Sequence, residues 1–72
     1  MNNQLHIQIR PGVIDEPEVL LENFPFEEGQ SILSFAGGVI IIDLGSFEDT
    51  NYMQDWYLNS NEDVQSFYVV ED

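Results

Sequence analysis

The sequence predicts a small α+β domain, an antiparallel sheet of three to four strands with one main helix packed on a face. Three observations carry this. Residues 4–10 alternate apolar and polar side chains, two β-rich runs flank Gly37-Gly38, and the stretch from Ser46 to Asn59 has the spacing of a helix. Seventy-two residues hold material for one core, so residues 1–72 are expected to form a single domain.

The first strand puts Leu5, Ile7 and Ile9 on one face and His6, Gln8 and Arg10 on the other, and Pro11-Gly12 stops it. Asp15 to Asn23 is a candidate short helix, with Asp15 as N-cap and Pro17 in the first turn. At that length an extended or irregular path competes with it. Phe24-Pro25-Phe26 and Glu27-Glu28-Gly29 read as a loop and a turn.

Gly37-Gly38 supports the positive φ angles of a tight hairpin between residues 32–36 and 39–44. Val39 to Ile42 is apolar at four successive positions, which predicts a central strand covered on both faces. Ser46, with Asp49 three residues on, resembles a capping box, so the main helix is expected from there to about Asn59. Tyr52, Met53, Trp56 and Tyr57 share one arc of it, while Glu48, Asn51, Asp55 and Asn59 form a polar stripe. Core packing is the expected role of most of Phe47, Tyr52, Trp56 and Tyr57. Any left exposed beside Glu48 and Asp55 would be an anchor for a partner. Val64 to Val70 is the last strand, with Val64, Ser66, Tyr68 and Val70 on one face and Phe67 and Val69 on the other.

Charge dominates the composition. Fourteen acids face one arginine, one histidine and no lysine, a net charge of −13, whereas surfaces made only soluble settle at a magnitude of roughly 2–8. Such a chain repels nucleic acid and anionic membranes and attracts basic protein surfaces. The acids cluster as Asp15, Glu16, Glu18 and Glu22; Glu27 and Glu28; Glu48, Asp49 and Asp55; and Glu62 and Asp63, with Glu71-Asp72 at the end. Asp43 is the exception within a presumed strand. Acids on one helix face stand about 5–6 Å apart, of the order of neighbouring phosphates, so a carboxylate row can imitate a nucleic-acid backbone. The competing reading makes each cluster a set of solvated loop charges.

Catalysis finds little support. His6 stands alone, no nucleophile motif, P-loop or zinc spacing occurs, and a pocket holding paired carboxylates is hard to enclose in so short a chain. Asn59-x-Asn61-x-Asp63 lacks the glycine and terminal acid of a calcium loop. No cofactor and no metal are expected. With no cysteine, no signal-peptide pattern and no apolar run long enough for a bilayer, the expected location is cytoplasmic, in the host if the chain is viral.

The chain resembles, in size, charge and absent lysine, the small acidic inhibitors that many viruses make against nucleases, glycosylases and related defence enzymes. The resemblance covers no alignable motif. The expected partner is therefore a basic, nucleic-acid-binding protein. The clustered acids from Asp15 to Asp63 would form the contact surface, with Phe24, Phe26 and Trp56 as anchors. Phage encoding would suit that role. The alternatives are an immunity protein or antitoxin against a basic toxin, and a homo-oligomeric structural module with the 39–44 segment at its interface. Oligomeric state is not legible.

Overall fold

The alternating N-terminal segment forms β1 (Gln4–Ile9), and although it comes first in the chain it lies inside the sheet. A computed structural model describes residues 3–12 and 17–71. After β1 come a helical turn α1 (Pro17–Leu20), the hairpin β2 (Ser31–Ala36) and β3 (Val39–Asp43), the helix α2 (Tyr52–Ser60) and β4 (Val64–Val70). The sheet order is β2-β3-β1-β4, every neighbouring pair antiparallel. This is the expected α+β architecture, with four strands. Gly37 and Gly38, at φ of 61° and 76°, make the hairpin turn with both central residues left-handed, as the tight primed turn requires.

The core lies under one face of the sheet. Leu5 and Ile7 of β1 and Ile40 and Ile42 of β3 meet Leu44 and Leu58, all fully buried, with Leu20, Leu21 and Phe24 from the α1 region closing the side. β3 is central, as its apolar run predicts, but the expectation that both its faces are covered is corrected. Val39, Ile41 and Asp43 turn to the opposite face and are only half-buried. What shields that face is neighbouring strands, His6 and Tyr68 among them with ring centroids 5.3 Å apart. Strand alternation permits one dry face here because, among the described residues, only α2 is a helix long enough to cover the sheet.

β4 spans the expected residues, yet one side chain changes face. Gln8 pairs with Ser66 and Ile9 with Val64, so Gln65 is an extra residue at a bulge. The bulge sends Val64 into the core with Phe67 and Val69, leaving Ser66, Tyr68 and Val70 outside.

α2 begins later than expected. Gly45 at φ 64° and a Phe47 N–H to Leu44 carbonyl bond of 3.2 Å make a turn where Ser46 was expected to cap the helix. Asp49 spends its carboxylate on the Thr50 N–H (2.7 Å). The cap is Asn51: its Oδ1 accepts the Gln54 N–H at 2.8 Å, and Gln54 Oε1 accepts the Asn51 N–H at 3.1 Å. Two orphan donors are satisfied reciprocally, which the Ser46/Asp49 pairing does not achieve. α1 is a single turn; its expected N-cap Asp15 lies outside the described residues, and a turn at Leu21–Asn23 follows it.

Candidate functional site

α2 turns to solvent much of the arc that its composition assigns to the core. The helix is anchored by Gln54 and Leu58, with Tyr57 half-buried. Tyr52 is 79% exposed and Met53 and Trp56 are each 58% exposed. The expectation that most of the four aromatics pack in the core is thus corrected: Tyr52 and Phe47 are exposed, and so is Trp56, the one also singled out as an anchor. Only Tyr57 among the four aromatics takes the core role. The physical reason lies at the cap. The Asn51–Gln54 box sets the helix phase, and Gln54 is then held inward because its Nε2 donates to the Pro25 carbonyl (3.0 Å) and to Gln30 Oε1 (2.7 Å). With Gln54 and Leu58 inward, positions 52, 53 and 56 lie on the far arc.

Acidic segments border this arc. Tyr57 OH donates to the Leu20 carbonyl, which brings α1 with the exposed Glu18 and Val19, and the following Glu22, beside the helix. Phe24 stacks edge-on to Tyr57 (centroids 5.5 Å) and to Phe26 (4.9 Å). Asn51 Nδ2 donates to Glu27 Oε1 at 3.2 Å, so the exposed Glu27-Glu28 loop meets the start of α2. At its other end Trp56 and Tyr57 line an open groove with Glu62 and Asp63.

Glu48, Asp49 and Asp55 stand apart from this group. Asp55 accepts from Thr50 Oγ1, and Asp49 and Asp55 face β4 across a second groove. Acids at the start of α2 also stabilise it by opposing the helix dipole, so part of this group has a local structural use.

Of the residues singled out from the sequence, Glu18, Glu22, Glu27, Glu28, Glu48, Asp49 and Glu62 are exposed, and Asp55 and Asp63 are half-buried. Asp15 and Glu16 lie outside the described residues. The Phe24/Phe26 pair divides: Phe24 is 5% exposed and belongs to the core, which corrects its expected role as an anchor, while Phe26 reaches the surface. Arg10 is exposed and donates from Nε to the Glu62 carbonyl at 2.8 Å. Sequence reasoning missed Tyr52 and Met53 as surface residues. The Asn51-x-x-Gln54 spacing was the signal that could have found them.

Among the described residues, no three histidine or acidic side chains converge as metal ligands would. Among the same residues, no helix is long and apolar enough to cross a membrane. No protein-family model, curated protein or solved structure matches the chain.

Proposed function

We propose that the chain is a stoichiometric inhibitor that occupies the basic groove of a DNA- or RNA-binding protein, of nuclease or defence-enzyme type, in the cytoplasm where that protein works. The observation that carries this reading is the exposed Tyr52, Met53 and Trp56 arc bordered by Glu18, Glu22, Glu27, Glu28, Glu62 and Asp63. Trp and Tyr are enriched at the residues that dominate binding energy, and exposed apolar side chains grouped on a small domain mark contact surfaces. The acids supply what the anchors lack. They raise the encounter rate with a cationic groove and repel nucleic acid and acidic proteins. Phage encoding fits an inhibitor of defence enzymes. The chain acts by occupancy, with no chemical step.

The test begins with affinity capture on the immobilised chain, eluted by rising salt. A captured protein is then loaded with a labelled oligonucleotide and titrated with the chain. One equivalent should release the oligonucleotide, and a variant with Glu18, Glu22, Glu27, Glu28 and Glu62 changed to Gln should not. A captured protein that keeps its oligonucleotide when saturated, or that binds no nucleic acid, refutes the mimicry reading.

A further inference from the structure

Among the described residues, one edge of the sheet is left open beside a groove. β4 is an edge strand, so every second residue turns its backbone N–H and C=O away from β1. Outside the helices and the sheet ladders, no backbone hydrogen bond among the described residues involves Gln65 to Val70. Two adjoining grooves, which share Asn59 and Phe67, run along this edge with α2 as the opposite wall. Their volumes, about 370 and about 510 Å³, admit side chains of a short extended segment.

The edge is lightly protected. Its bulge lies at the start, at Gln65, and beyond it Ser66 to Val70 has no charge, no proline and no register shift, whereas the opposite edge strand β2 is bulged in its middle, at Leu33. Charges lie instead at the ends of the strand, and they are acidic: Glu62 and Asp63 before it and Glu71 after it. Asp49 and Asp55 add two carboxylates from the helix side.

We propose that the groove between α2 and the outer edge of β4 accepts an extended, lysine- or arginine-flanked segment of a partner protein as an additional strand. Backbone hydrogen bonds to β4 would supply the pairing, and the flanking acids would select the charge of the segment. A second copy of the chain is the rival occupant, and two copies at a net charge of −13 repel each other. Antiparallel self-pairing centred on Phe67 sets Asp63 opposite Glu71 at both ends, and like charges directly opposite destabilise a ladder. The inference goes beyond the inhibitor reading and stands without it, since neither Met53 nor Trp56 lines the groove, although Glu62 and Asp63 border both surfaces.

The probe is a synthetic peptide of five alternating threonines and valines with two lysines at each end. Two controls accompany it, one N-methylated at all five central residues and one with glutamates for lysines. Each is titrated into the ¹⁵N-labelled full chain. The lysine peptide should give saturable amide shifts at Gln65–Val70 and Asp55–Asn59, with slowed exchange in Ser66–Val70. The N-methylated twin should bind at least roughly tenfold more weakly, because it cannot donate to the strand. The glutamate peptide should not bind, and changing Asp49 and Asp55 together to Asn should weaken the lysine peptide. The idea is overturned by no saturable binding up to about 1 mM, by equal binding of the N-methylated peptide, or by unchanged affinity in the double variant. It is also overturned if the free chain is a dimer with Ser66–Val70 already protected.

Discussion

Gln54 shows how one side chain decides which face a helix presents. It is fully buried and spends both ends of its carboxamide, Oε1 on the Asn51 N–H and Nε2 on the Pro25 carbonyl and Gln30 Oε1. Gln30 in turn accepts the Glu27 N–H at 3.0 Å and donates to the Leu44 carbonyl at 3.3 Å. Gln54→Leu keeps the volume and removes every one of Gln54's side-chain bonds. The loss should be about 2–3 kcal/mol, because buried partners are left unsatisfied and the cap is halved. Urea unfolding should show a lower midpoint with an unchanged slope. Gly45→Ala should cost about 1–3 kcal/mol by a different route. Its φ is 64°, and an added Cβ would sit 3.1 Å from the Gly29 carbonyl oxygen, a backbone atom that would have to shift by a few tenths of an ångström. A glutamine inside a helical pattern reads as a solvent residue, so Gln54 was invisible as a core position. Phe24 was misread for the opposite reason: flanking acids and Pro25 suggested a surface loop, but the loop folds back on Tyr57.

At the scale of elements, the strands were legible and the helix phase was not. Alternation in β1 and the Gly-Gly link determine strand and turn locally, and β4 is bounded where its composition changes. The bulge at Gln65 was hidden because it depends on the register against β1, a long-range match that no local pattern encodes. For α2, four large apolar side chains on one arc imitate a core stripe, and burial went instead to the arc chosen by the Asn51 cap. Trp56 tests this directly. Its emission should be that of a solvated indole and be readily quenched by acrylamide. Relative to its quenching of a free indole, caesium should quench it more strongly than iodide at low salt, because Glu62 and Asp63 line the same groove. Equal ratios for the two ions at low ionic strength would mean that the local field is negligible. Changing Tyr52, Met53 and Trp56 to Ser together should leave stability within about 1 kcal/mol, as exposed substitutions usually do, while abolishing capture of the partner.

Across the whole molecule, fourteen acids and a single arginine oppose compaction. Added sodium chloride should therefore raise the melting temperature, with most of the gain reached by about 0.15 M, where the screening length is about 8 Å. Partner binding should move the other way over the same range. A chain whose stability falls with added salt would have to owe its fold to attractive ion pairs, contrary to this account. The sequence identifies the sign of the surface. How the acids are distributed around α2 became visible only in three dimensions, since Tyr57 and Asn51 bring together segments distant along the chain.

The interior place of β1 governs how the polypeptide must be made. Its partners on either side are β3 and β4, and Leu5 pairs with Val69 near the other end of the chain. A growing polypeptide thus carries a half-matched apolar ribbon until the final strand has been synthesised. Assembly waits for translation to pass Val70, and products of premature termination before Val64 leave Leu5 and Ile7 paired to β3 alone, without the β4 ladder, as ready substrates for proteolysis.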